Sequence, residues 1–130
     1  MKRQLSTAVS VAIASVLSLA SGSAIANQQK TSADTFCSFR HNQTSLRDRC
    51  HVEYSGDKVS YLYRIITLRW SDGVITNIEL KSAMKTDGRG GVYHRGIAKV
   101  DNAEAIFTEG EDMTCFEIPE NSKAICYYSF

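Results

Sequence analysis

The chain has 130 residues, with 15 lysines and arginines against 14 aspartates and glutamates, and four cysteines. So even a charge balance excludes a dedicated nucleic-acid binder, whose domain would carry a pI above about 9. The expected partner is a protein or an envelope component. The length holds one domain and not two.

Residues 1–26 read as a cleaved signal peptide. Met1-Lys2-Arg3 is a basic start, Thr7 to Ala20 is an apolar run, and Ala24-Ile25-Ala26 has the small-x-small form of a cleavage site. The run is shorter than the roughly 20 residues that cross a bilayer as a helix. The mature chain is then expected to start near Asn27, to be exported to the periplasm or beyond, and to have no transmembrane segment. Without Lys2 and Arg3 it carries 13 bases against 14 acids, unevenly spread. Cys37 to Lys99 holds 11 bases and six acids, whereas Asp101 to Glu120 holds seven acids and no base.

Residues 27–34 read as a flexible tail and 35–130 as one antiparallel β domain. No helical periodicity is sustained; short runs rich in Val, Ile, Thr, Tyr and Phe alternate with turn residues. Thr35 to Phe39 is the first expected strand, followed by Arg49 to Ser55. Gly56-Asp57-Lys58 then reads as a turn into Val59 to Tyr63. The clearest hairpin joins Ile65–Trp70 to Val74–Leu80 through Ser71-Asp72-Gly73, with Ile66, Leu68 and Trp70 on one face. Further strands are expected over 91–100, 103–107, 113–118 and 124–130. About eight strands in so short a chain make an up-and-down or Greek-key sheet, closed as a barrel or a sandwich.

Cys37, Cys50, Cys115 and Cys126 are an even set lacking the C-x-x-C spacing of redox or zinc sites. If the last two strands fold about Pro119-Glu120-Asn121-Ser122, Cys115 faces Cys126. A turn over Asn42-Gln43-Thr44-Ser45 likewise sets Cys37 opposite Cys50. Two hairpin disulfides, Cys37–Cys50 and Cys115–Cys126, are therefore expected.

Chemistry is harder to find. No nucleophile elbow, zinc-binding helix or phosphate-cradling loop is present. "TEGEDMT", with Glu109, Glu111 and Asp112, reads as a solvated turn. The stretch "TDGRGGVYHRG" is the densest in special residues. Its glycines suit a bend or bulge between strands. Asp87, Arg89, Tyr93, His94 and Arg95 together also suit a recognition loop for an acidic or planar group. These five are the candidate binding residues; no catalytic residue, metal or cofactor is expected, and the chain reads as a monomeric, non-catalytic binding module. A hydrolase using scattered carboxylates such as Glu79, Glu104 and Glu111 is the enzymatic alternative.

The series Phe36-Cys37, Cys50, Trp70-Ser71-Asp72-Gly73-Val74-Ile75-Thr76 and Asp87-Gly88-Arg89-Gly90-Gly91-Val92-Tyr93 resembles small exported β-rich proteins of unknown function, of cyanobacterial type. That resemblance implies a fold and no activity. Gly88 to Tyr93 followed by Val100 to Ala105 is also similar in order to periplasmic inhibitors of c-type lysozyme, small exported β-barrels, though without the serine and the Lys-Gly step of that family. Inhibition of a lysozyme is the function that this second resemblance implies.

Overall fold

A computed structural model describes residues Thr31–Phe130. The expected signal peptide, 1–26, and the start of the expected tail lie outside the described residues. The remainder is a closed barrel of eight antiparallel strands, each hydrogen-bonded to its neighbours in sequence, with the last paired to the first. The strands are β1 (Ser32–His41), β2 (Thr44–Val59), β3 (Leu62–Trp70), β4 (Ile75–Lys85), β5 (Val92–Val100), β6 (Ala103–Gly110), β7 (Met113–Ile118) and β8 (Lys123–Tyr128). Of the topologies open to the sequence, the up-and-down barrel is the one formed.

The alternation that marked the strands also fills the barrel. Cys37, Cys50, Val52, Ile66, Leu68, Ile78, Leu80, Ala98, Val100, Ala105, Phe107, Phe116, Ile118, Ile125 and Tyr127 form one buried cluster. The alternate positions carry charge: Arg69 pairs with Glu53 at 2.5 Å and Lys81 with Glu79 at 2.8 Å on the outside wall. An apolar lumen inside a charged wall is the reverse of the polarity of a lipid-spanning barrel. No helix among the described residues is long and apolar enough to cross a membrane.

Three expected boundaries move. Residues 32–34, assigned to the tail, belong to β1, where Asp34 accepts a 2.7 Å contact from His51. Gly56-Asp57-Lys58 is not the turn between β2 and β3. It is a bulge, where the register shifts between Ser55 and Lys58 and Gly56 takes φ 82°. The turn itself is Ser60-Tyr61, with both residues at positive φ. Glu109 lies within β6 and not in a solvated turn.

Both expected disulfides are present. Cys115 and Cys126 are directly opposed, as the turn at Pro119 requires, with Cα atoms 4.0 Å apart. The first pair arises differently. The β1–β2 turn spans two residues, Asn42-Gln43, so His41 faces Thr44 and Cys37 faces Asp48. Cys37 and Cys50 are thus diagonal neighbours, 5.7 Å apart at Cα, still within disulfide reach. The two cross-links flank the seam where β8 meets β1. One lies inside the barrel, with both cysteines buried, and the other lies half-buried on the outer wall. Each contributes on the order of 3 kcal/mol by restricting the unfolded chain, at the seam whose strands are farthest apart in sequence.

One close approach fixes where the wall bends. A Cβ on Gly96 would stand 1.9 Å from the Ser82 carbonyl oxygen and 2.7 Å from the Phe107 ring. Glycine there lets β4 and β5 close together where their register shifts between Leu80 and Ser82.

Candidate functional site

The lumen is filled unequally along its length. Toward the end that bears the chain termini, the inward positions are large: Phe107, Phe116, Tyr127 and Tyr54. Phe107 and Phe116 have ring centroids 6.0 Å apart, and Phe116 and Tyr127 6.3 Å. Tyr54 stacks on Tyr63 at 5.5 Å and on Phe130 at 5.4 Å, so the last residue of the chain caps this end. The Tyr54 and Tyr127 hydroxyls are 3.0 Å apart. Burial chiefly, then Tyr54 beside it, pushes the Tyr127 hydroxyl well above its ordinary pKa near 10. Burial also raises Tyr54. Both are neutral hydrogen-bonding groups at physiological pH.

At the other end the inward positions of β4, β5 and β6 are smaller, Thr76, Val100 and Ala103, and the space is not filled. A cavity of about 400 Å3 opens there. Every strand contributes to it: Phe39, Leu46, Trp70, Thr76, Val100, Ala103, Ile118, and Lys123 with Ile125. Asp72, Val74, Asp101 and Asn121 come from the connecting turns and form the rim. The Trp70 indole N–H donates to the Thr76 hydroxyl at 3.0 Å, tying the ring to the neighbouring strand in the cavity wall. Below the rim, Ser71 donates to the Asp48 carboxylate, which with the Arg49 backbone N–H lowers the Asp48 pKa.

The rim charges differ in availability. The Asp72 carboxylate accepts the Val74 N–H at 3.0 Å, and that of Asp101 accepts the Asn77 N–H at 2.9 Å. These bonds shape the β3–β4 connection and tie the Asp101-Asn102 turn to β4. Lys123 has no ion-pair partner among the described residues. The opening therefore offers apolar walls, the Thr76 hydroxyl, and at its edge two carboxylates shaped by backbone N–H groups and one lysine with no ion-pair partner among the described residues. That is the make-up of a small-molecule seat, and its size is within the usual range of about 300–1,000 Å3.

The five residues singled out from sequence lie at the opposite, filled end, and the structure divides them. Asp87 and Arg89 stay together in the β4–β5 connection, paired at 3.3 Å, with the Arg89 N–H donating to Asp87 at 3.1 Å. A single turn of 3-10 helix, Arg89–Gly91, follows Gly88, and Gly88 lies over the Tyr93 ring. Thr86 ties the loop by donating its hydroxyl to the Val92 carbonyl and accepting the Gly88 N–H. His94 leaves the group: it faces Glu109 across the ladder, with Nδ1 2.8 Å from the carboxylate and both side chains largely covered. Arg95 projects from the outer wall, exposed, opposite Thr108. The stretch is chiefly a self-bonded bend, with Arg89 already engaged by its neighbour.

The carboxylates of the hydrolase alternative do not converge. Glu79 is held by Lys81 on the outer wall, its pKa lowered by that hydrogen bond. Glu104 is exposed on β6 and Glu111 lies in the β6–β7 turn. None of the three lines the cavity. Gly88–Tyr93 and Val100–Ala105 flank β5 at its two ends, so they stand at opposite mouths of the barrel. The cavity residues were missed because one or two come from each strand. No local motif marks them, and the lone hint was Trp70 beside a polar turn.

No protein-family model, curated protein or solved structure matches the chain.

Proposed function

We propose that this is an exported, non-catalytic binding protein whose ligand sits in the open mouth of the barrel. The ligand class is a small amphiphile with an apolar body and an anionic head. The apolar body contacts Phe39, Leu46, Trp70, Val100, Ile118 and Ile125, while the head meets Lys123 at the rim. The observation that carries this reading is the contrast within one lumen: a cavity of about 400 Å3 at one end of a barrel whose other end is packed with aromatic rings. The interior of a closed eight-stranded barrel is just wide enough to be filled by side chains or to hold one small ligand. Two disulfides are compatible with an oxidising compartment outside the cytoplasm.

Trp70 is the single tryptophan of the chain and stands in the cavity wall, which supplies the assay. Titration with dansyl-undecanoic acid should give energy transfer from Trp70 that saturates at one equivalent. Ala103→Phe, which fills the mouth, should abolish the transfer with no loss of melting temperature. Lys123→Ala should weaken it severalfold by removing the head's partner. Transfer that never saturates, or that survives Ala103→Phe unchanged, would sink the proposal. The enzyme-inhibitor alternative uses the Gly88–Tyr93 loop at the other end; inhibition of a c-type lysozyme that Ala103→Phe leaves intact would favour it instead.

A further inference from the structure

We infer that the outer wall formed by β8, β1 and β2 is a binding surface for an acidic polysaccharide, separate from the cavity and independent of what the cavity holds. The wall is built by register. Phe36 lies between Arg49 and Tyr128, Ser38 between Arg47 and Cys126, and Arg40 between Ser45 and Ala124. All of these alternate with the inward Cys37, Cys50 and Tyr127, and of them Ala124 is itself buried. Three successive rows thus carry Arg49, Arg47 and Arg40, and a strand repeats its outward positions about every 6.6 Å.

None of these three arginines has a carboxylate partner among the described residues, whereas Arg64, Arg69 and Arg89 all do. Two of them are positioned by aromatic rings instead. The Arg47 guanidinium lies 4.7 Å from the centroids of both Phe36 and Tyr128, and that of Arg49 lies 5.8 Å from Phe36. Resting on a ring face holds a guanidinium extended without using its N–H groups. Its bidentate fork then stays free for a carboxylate or sulfate. Ser38 and Ser45 sit between the arginines and add hydroxyls that suit sugar hydroxyls.

The shape selects among polyanions. The wall is a sheet face of three arginines, two serines and the rings of Phe36 and Tyr128, along which a linear chain can lie. The chain as a whole has nearly balanced charge, 15 bases against 14 acids, unlike a nucleic-acid binder. A linear glycan with an acid on each repeat matches a short cationic track that becomes acidic beyond it. At the next row Asp34 is paired to His51, and Glu53 lies farther on.

The test is titration of the disulfide-bonded protein with an oligomer of polygalacturonate, with neutral dextran and a single-stranded oligonucleotide of matched charge in parallel. Saturable, salt-sensitive binding to the polyuronate and none to dextran is expected. Arg47→Ala/Arg49→Ala should weaken it at least about tenfold, and Arg47→Lys/Arg49→Lys, which keeps charge but loses the fork, should weaken it by a few-fold. Arg95→Ala/Lys81→Ala, equal in charge change but on another wall, should leave it unchanged. The Lys pair guards against a folding artefact in the Ala pair. Equal loss in the control pair, no loss in either Arg47/Arg49 pair, absence of saturable binding, or tighter binding to the oligonucleotide would each overturn the inference.

Discussion

The two ends of one barrel are built in opposite ways. At the terminal end, Tyr54 stacks on Tyr63 and Phe130 and meets Tyr127 edge-on, Phe116 and Phe107 continue the packing, and the hydroxyls left inside satisfy each other. At the far end the turns are short, the inward residues shrink to Thr76, Val100 and Ala103, and a cavity results. Stability and binding are thereby separated along one axis. The filled end supplies cohesion, and the open end can present apolar wall to a ligand without endangering the fold. This division can be broken by substitution.

The largest effect is expected at Gly96. An alanine Cβ there would meet the Ser82 backbone oxygen and the Phe107 ring at distances that no rotamer change can relieve. Gly96→Ala should cost more than about 4 kcal/mol, enough to leave much of a small domain unfolded. Chemical denaturation of the purified variant reads this directly. A variant with wild-type stability would mean that β4 and β5 can move apart at the bulge, and that the filled end is looser than described.

Next comes a matched truncation at the two ends. Phe107→Ala removes a fully buried ring and should cost about 3–5 kcal/mol. Phe39→Ala removes a ring that borders the cavity, where part of its surface has no packing partner, and should cost about 1–2 kcal/mol while abolishing transfer from Trp70 to the dansyl probe. Equal costs at both positions would erase the contrast between the ends.

A smaller effect follows from the buried hydroxyls. Tyr127 and Tyr54 have raised pKa values in the folded chain, mainly through burial. Below pH 10 they are neutral whether folded or unfolded, so their environment contributes no pH dependence. Above it, unfolded tyrosines ionise while the buried ones do not, and the equilibrium shifts toward unfolding. Stability should fall by about 1.4 kcal/mol per pH unit for Tyr127 alone until its folded pKa is reached. Comparing wild type with Tyr127→Phe between about pH 9 and 11 reads the loss due to the hydroxyl pair, since Tyr54 loses its partner in the variant. Parallel curves would mean that the Tyr127 hydroxyl reaches solvent.

Much of the architecture was legible because it rests on period-two patterning and on the spacing of cysteines. Met113 to Ile118 matched to the residue, and the Cys115–Cys126 register followed from a turn that proline and polar residues announce. Register failed where turn length is set by one backbone angle. Asn42 at φ 57° makes a two-residue turn in place of four, and Cys37–Cys50 still forms because a diagonal pair is also within reach. Gly56 invited a turn and made a bulge. At the candidate site, a Gly-rich segment drew attention by density, whereas the cavity is assembled from single residues spread from Phe39 to Ile125. Such a set becomes visible once the barrel is closed.

The Ser60-Tyr61 turn went unread because it contradicts local preference, and it gives the smallest effect. Both residues have positive φ, and Tyr61, at φ 71°, is 89% exposed, so no packing offsets the strain. Left-handed backbone costs an ordinary L-residue about 1–2 kcal/mol, and a two-residue hairpin turn of this hand favours glycine at its second position. After allowing for glycine's greater freedom in the unfolded chain, Tyr61→Gly should stabilise the protein by about 0.5–1 kcal/mol, a rise of a few degrees in Tm. The β2–β3 tip belongs to the filled end, so dansyl-probe binding at the far mouth should not change. A variant that is more stable and equally competent would show that the strain at Tyr61 is uncompensated and lies apart from the mouth. A variant that is less stable would mean instead that the tyrosine ring supports its own hairpin.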